Sequence, residues 1–225
     1  MCNRISLLDT DKIREFIATY FDVAPELTDM LMRSPNLSPT ELLPVIRRTG
    51  INFEYEPMIW GYQAGSMLVT NARDDSLLTK ALFKTSAQKR RCVVVADGFY
   101  EWQTMGRTKV PHHFFLKGHV PFALAGLYED ASVGPRRAML VTTEPNSLLE
   151  AYHNRMPAIL DRERAKAWLS DVPLTADNLR SLCVSYPAGL MEEYRVDSRM
   201  SNSRYKGDDA AEPWKPADGE LELGV

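Results

Sequence analysis

Helical periodicity is clearest near the start of the chain, where Ile13, Phe16, Ile17, Tyr20 and Phe21 fall on one face. Asp9, Thr10 and Asp11 precede them and supply capping and acidic first-turn chemistry, so a packing helix is predicted there. A shorter helix is predicted around 27–32, ended by Ser34-Pro35. Asn36-Leu37-Ser38-Pro39 then reads as a loop, because residues before proline are pushed out of helical geometry. The runs 42–47 and 53–60 read as a strand pair turning at Thr49-Gly50. Met67-Leu68-Val69 is another apolar run, and it ends in the polar group Asn71-Ala72-Arg73. Asp75 or Ser76 caps a helix carrying Leu77, Leu78, Ala81 and Leu82.

From 92 to 102 the chain is rich in β-branched and aromatic residues and reads as one strand, with further strands at 113–116, 122–128 and 138–143. Ser147-Leu148-Leu149-Glu150 fits a capping box opening a brief helix that ends near His153. Asp161 opens a helix through Trp168, and another is predicted at 179–184. The remainder from 207 to 225 is rich in Asp, Glu and Pro and is expected to be a loose acidic tail. Many short strands, scattered helices and no βαβ alternation predict a single α+β domain. Its expected core is a curved mixed or antiparallel, barrel-like sheet with peripheral helices.

Composition narrows this picture modestly. At 225 residues, 44% hydrophobic and 25% charged, the chain is of ordinary globular type with enough material for a sizeable core. No apolar run approaches a membrane span and no signal peptide is evident, so a cytoplasmic home is expected. Three widely spaced cysteines form neither a disulfide framework nor a zinc-ligand pair, and Cys92 and Cys183 sit in apolar runs as small hydrophobes. His112, His113 and His119 lack partners at metal spacing, so neither metal nor cofactor is expected. The net charge of -3 argues against a generally basic nucleic-acid binder, but a local basic patch is compatible with it.

Cys2 changes the picture more. Removal of Met1 would leave one residue with both a thiol and an α-amine. That amine titrates near ~7.7–8.0, against ~10.4 for lysine, and is far more available as free base at neutral pH. Together the two nucleophiles can take an aldehyde first as a Schiff base and then as a thiazolidine. Further in, Glu101 lies between Tyr100 and Trp102, where desolvation would raise its pKa and suit it to proton transfer; strand alternation equally allows it to face solvent. His153 stands at an expected helix end, as a proton donor or merely as a cap.

Met1-Cys2-x-Arg4, Asn36-x-x-Pro39, Trp60-Gly61-Tyr62, Asn71-Ala72-Arg73, Ala96-Asp97-Gly98-Phe99-Tyr100-Glu101-Trp102, Ala125-Gly126-Leu127-Tyr128-Glu129 and His153-x-Arg155-Met156-Pro157 occur in this order. The set resembles the SRAP family (SOS response-associated peptidase), whose members cross-link to abasic sites in single-stranded DNA. The resemblance runs from Cys2 to about Arg204 and implies a domain over 1–206. It implies Cys2 as the covalent residue, with Asn71, Glu101 and His153 completing the catalytic group. The DNA contacts it implies are Arg4, Arg73 and Arg155, together with Pro39, Thr142 and Trp60 as an aromatic platform. The chain departs from the family at Asn3, where glycine is usual, at Asp75, where glutamate is common, and around Gln63-Ala64-Gly65.

On this reading single-stranded DNA carrying an abasic site is the partner, no membrane is involved and protein partners stay open. Two other readings stand beside it. An N-terminal-nucleophile peptidase or amidohydrolase would use Cys2 on an amide with its own amine as base. A DNA-binding module without covalent chemistry would bind reversibly and salt-sensitively, indifferent to Cys2.

Overall fold

At Asp97 the apolar stretch expected as one strand breaks, and its halves enter different sheets. The computed structural model describes residues 2–131 and 133–216. Arg91–Ala96, buried along its whole length, lies inside a ten-stranded mixed sheet. Gly98–Met105 joins an antiparallel five-stranded sheet in the order Met191–Arg195, Thr108–Leu116, Gly98–Met105, Ile5–Leu7, Ser34–Leu37. The larger sheet runs Leu42–Leu43, Met58–Trp60, Arg137–Thr143, Phe122–Glu129, Arg91–Ala96, Val45–Thr49, Asn52–Tyr55. Asn71–Arg73 and Met156–Pro157 add to Arg137–Thr143, and Ile159–Leu160 to Phe122–Glu129. Parallel pairings of Arg137–Thr143 with Met58–Trp60 and Asn71–Arg73 make this sheet mixed. The result is an α+β domain whose curled half-barrel carries its helices on the outside. None of the helices among the described residues is long and apolar enough to cross a membrane.

The first helix, Thr10–Phe21, is built as its sequence predicts. Asp9 caps it by accepting from the Lys12 N–H, Ile13, Ile17 and Phe21 are buried, and Asp22 ends it in the left-handed region at φ 54°. Arg162–Leu169 likewise starts from Asp161, which accepts from the Arg164 N–H. The fully buried Val93–Val95 run shows no alternation because the sheet is covered on both faces, including by Arg162–Leu169 and Ala81–Lys89.

Elsewhere tertiary context overrides the local pattern. The helix expected at 27–32 is a single 3-10 turn, Pro25–Thr28. Ser34–Leu37, expected to lead into a loop, is a strand at a sheet edge, where a proline costs no ladder bond that matters. Asn36 is buried within it, and its Nδ2 reaches the Met200, Asn202 and Tyr205 carbonyls at 2.9, 3.1 and 3.0 Å. The 42–60 hairpin is cut at Pro44 and Pro57, so Met58–Trp60 pairs with Leu42–Leu43 instead. The helix beginning at Asp75 is displaced to Ala81–Lys89 behind a 3-10 turn at Asp74–Ser76. Residues 147–152 are turns rather than a helix, organised by Asn146, whose Oδ1 accepts from the Leu148 and Leu149 N–H groups. Part of the expected tail also folds: Asp208–Ala211 forms a 3-10 turn, with Ala210 and Ala211 buried against Tyr100, Val196 and Met200. Pro213 bridges to Val196, and the Trp214 ring lies 3.7 Å from the Arg195 guanidinium. Residues 217–225 lie outside the described residues.

Gly98 is demanded by close approach. A Cβ there would stand 2.0 Å from His113 Nε2 and 2.5 Å from Ser6 Oγ. Both are buried and hydrogen-bonded to each other at 3.0 Å, so neither moves aside cheaply. Gly98→Ala should therefore lower the urea unfolding midpoint by an amount equivalent to about 1–3 kcal/mol or more; an unchanged midpoint would contradict this packing.

Candidate functional site

The N-terminal strand Ile5–Leu7 is central, not frayed, with Gly98–Met105 on one side and Ser34–Leu37 on the other. Its register continues upstream, Tyr100 N–H donating to Arg4 O at 3.1 Å, so residues 2–4 run on towards Glu101. Cys2 is 1% exposed and its Sγ donates to Arg4 O at 3.4 Å. Burial, and after it the Glu101 charge, push the thiol well above its ordinary pKa, so it stays protonated at neutral pH.

Asn71 approaches from the other sheet, on Asn71–Arg73 beside Arg137–Thr143. Its Nδ2 donates to Cys2 O at 3.1 Å, Asn3 Oδ1 at 2.9 Å and Thr70 Oγ1 at 3.0 Å. The Thr70 hydroxyl in turn donates to Asn3 Oδ1 at 2.7 Å. Asn71 Oδ1 is buried and has no hydrogen-bond partner among the described residues.

Glu101 is 3% exposed, turned inward rather than to solvent. Burial lifts its carboxyl to about 7; the Lys109 charge and the Trp102 N–H oppose that rise. Burial lowers the pKa of His153, and the Lys109 charge acts in the same sense. The Arg155 N–H donates to His153 Nδ1 at 3.0 Å. An imidazole accepting at Nδ1 carries its neutral-form proton on Nε2, so His153 presents an N–H donor.

The residues expected to touch DNA divide sharply. Arg73 is on the surface, paired with Asp75 at 2.6 Å. Arg4 is half-buried, its Nη1 donating to Asn3 O at 2.7 Å while Nε has no hydrogen-bond partner among the described residues. Pro39 is partly exposed, beside Thr40 in the left-handed region. Trp60, by contrast, is 0% exposed with its Nε1 on Thr70 O at 3.1 Å, so it is core and offers no face to a base. Thr142 is also fully buried. Arg155 is buried and its Nη2 is committed to Asp74 and to the Thr142 carbonyl. Its part is to hold this corner together, because stripping a partner from a buried ion pair is costly.

Sequence reasoning passed over Asp74, which takes Arg155 and also the Thr143 hydroxyl at 2.8 Å. It passed over Lys109, whose charge reaches both Glu101 and His153 from the neighbouring strand. His112, which lacks metal partners in the sequence, is the cross-strand neighbour of Glu101 and is bonded through Nδ1 to Glu193 at 2.6 Å. Strand pairing was the missing information in each case. A cavity of about 650 Å³ opens beyond Asp74 and Arg155, lined also by Thr143, Leu179 and Cys183.

The fold and this corner define a class: an α+β half-barrel that buries a second-position cysteine beside a carboxamide and within the field of a carboxyl. The chain belongs to the SOS response associated peptidase (SRAP) family, whose model matches residues 1–203. It is 32% identical over 219 residues to abasic site processing protein YoaM of Bacillus subtilis, spanning 91% of this chain and 94% of that protein. It is similarly 32% identical over 161 residues to abasic site processing protein HMCES of Xenopus tropicalis, 60% of this chain and 47% of the relative. A crystal structure of a Bacteroides thetaiotaomicron protein superposes with a TM-score of 0.79 at 23% identity, covering 95% of this chain and all of that one, which shows the shared fold.

The Glu101 carboxyl links folding to pH. Its folded pKa of about 7 lies above the ordinary value of 4.5, so between them the folded chain keeps a proton that the unfolded chain has lost. The contribution to stability is full below about pH 4.5 and is lost as pH rises through about 7. Glu101→Gln removes this dependence, so its stability relative to the parent should improve from pH 4.5 to pH 8 by up to about 3 kcal/mol. Melting temperatures across that range check it, and a constant difference would refute it.

Proposed function

We propose that this chain captures abasic sites in single-stranded DNA covalently through Cys2, shielding the lesion. The observation that carries the reading is the setting of Cys2: buried, held through its carbonyl by Asn71, and within the field of a carboxyl that titrates near neutrality. Family membership and relatives named abasic site processing proteins support it.

The chemistry follows the proton affinities. With Met1 removed, the α-amine attacks C1′ of the ring-opened sugar, and loss of one water gives an imine. The high thiol pKa keeps sulfur protonated while this happens, so nitrogen acts first. Sulfur then adds to the imine carbon as its proton passes to nitrogen, closing a thiazolidine with no further leaving group. Glu101 relays protons between these atoms, its pKa matching the working pH. His153, with hydrogen on Nε2, hydrogen-bonds the sugar ring oxygen as it opens, the proton that this oxygen gains being the one lost by the C1′ hydroxyl and relayed by Glu101. Asn71 Oδ1 accepts from the amine and holds it in line. Arg4 and Arg73 take the phosphates, Pro39 borders them, and Arg155 supports the floor through Asp74.

Two measurements test this. Protein lacking Met1 should form a heat-stable adduct with single-stranded DNA bearing an abasic site, seen as a mass increase equal to the DNA less one water. Cys2→Ala should form none; an equally stable adduct from that variant would end the thiazolidine reading. Binding that is reversible and indifferent to Cys2 would instead indicate a non-covalent module.

The phosphate contacts are read from salt dependence. Arg73→Glu should weaken DNA binding and reduce the slope of log affinity against log salt by about one. An unchanged slope would place the DNA on another face.

A further inference from the structure

We propose that Asn3 is a positioning residue for the Cys2 amine, acting through Asn71 by fixing which way round its carboxamide sits. The proposal rests on the covalent reading of Cys2 above. The two ends of a carboxamide are nearly equal in size and opposite in hydrogen-bonding sense. What holds one orientation is therefore the company each end keeps.

The Asn71 nitrogen faces three oxygens: Cys2 O, Asn3 Oδ1 and Thr70 Oγ1, at 3.1, 2.9 and 3.0 Å. The first two are acceptors only, and they oppose a flip that would bring the Asn71 oxygen against them. A hydroxyl is ambivalent and would accommodate either end. Here it cannot, because the Thr70 hydrogen is already given to Asn3 Oδ1 at 2.7 Å. Asn3 thus acts twice. It accepts from Asn71 directly, and it draws the Thr70 hydrogen away so that Thr70 also shows Asn71 a lone pair. Without the Asn3 side chain Thr70 is released to donate, and Cys2 O alone still resists the flip.

The consequence lies at the other end of the amide. Asn71 Oδ1 is buried, and no hydrogen-bond partner meets it among the described residues. Leaving a buried acceptor unmatched is unfavourable unless a donor arrives. A donor of the right kind is an N–H of the α-amine on Cys2, the residue whose carbonyl Asn71 already holds. A flipped amide would present that amine with another donor.

The test is the rate of adduct formation by Met1-free protein at saturating abasic single-stranded oligonucleotide, on the high-pH plateau where the amine is free base. Asn3→Ala should slow it about tenfold, the scale of one hydrogen bond, with the oligonucleotide Kd unchanged. Asn3→Asp keeps an acceptor for both donors and should retain most of the rate. Because Asn3 acts through Asn71, adding Asn3→Ala to Asn71→Ala should cause no further loss. Asn3→Ser, too short to reach Asn71, is read the same way if Asn3→Ala does not fold. Parent-like rates for Asn3→Ala, equal losses for Asn3→Asp, or a tenfold loss persisting beside Asn71→Ala would each overturn the proposal and leave covalent capture standing. Absence of any adduct from the parent protein would instead overturn covalent capture itself.

Discussion

The site depends on the capture of the chain's first strand by one carboxylate. Asp97 accepts from Ser6 Oγ at 2.7 Å and from the Leu8 and Asp9 N–H groups at 2.5 and 2.9 Å. The same residue marks the break where one apolar stretch divides between two sheets. Termini ordinarily fray; here three hydrogen bonds and strand neighbours on both sides hold residues 5–9. The supporting shell is closed by His113, which lies against Ser6 and Tyr194 and which burial drives to a pKa of about 3. It is therefore neutral, so no net positive charge is buried behind the strand. Gly98 permits the approach, and residues 2–4 continue from this anchor, where Tyr100 and Asn71 hold the Arg4 and Cys2 carbonyls.

That anchor explains how the candidate site gathers residues from distant parts of the chain. Glu101 comes on the strand beside the N-terminal one, Asn71 on the other sheet and His153 at the end of a turn organised by Asn146. No loop rearrangement is needed to bring Asn71 to Cys2, since rigid sheets deliver both. Their burial then tunes their proton affinities. It raises the proton affinity of the Cys2 thiol and of Glu101 alike, and lowers that of His153. On the proposed reading, a protonated thiol beside a carboxyl poised near neutrality would favour attack by nitrogen before sulfur.

Legibility in the sequence followed the range of the interactions. The Asp9-capped helix was readable because its cap and its apolar face lie within twelve residues. The buried Cys92–Val95 run was readable from β-branched content, and family membership from the ordered motifs. What could not be read were decisions made by distant partners. Arg155 looks like any arginine until Asp74, 81 residues away, is found to hold it. Trp60 looks like a platform until the strands around it close, and Pro35 signals a loop until the first strand pairs with its own. The acidic residues after 207 suggest solvent, yet Ala210, Ala211 and Trp214 find places on the sheet edge.

The distribution of ion pairs resolves how a chain of net charge -3 would still hold a polyanion. Many of its arginines are engaged: Arg47 and Arg136 with Glu54, Glu56 and Asp130, Arg90 with Asp130, Arg155 with Asp74. These engagements differ in how readily a phosphate can replace the carboxylate. The Arg155 guanidinium is buried, and drawing it to a phosphate would break the contacts with Asp74 and the Thr142 carbonyl that hold this corner. The Arg73–Asp75 pair is exposed, with Asp75 half open to solvent, and a surface pair of this kind contributes little to the fold. A phosphate can take Arg73 while water takes Asp75. Arg4 goes further, because burial already lowers its pKa and its Nε has no acceptor among the described residues. A guanidinium partly stripped of water gains most when an anion arrives. On the proposed reading, DNA binding by this acidic chain would rest on Arg73, whose carboxylate partner is exchangeable, and on Arg4, whose Nε has no acceptor among the described residues.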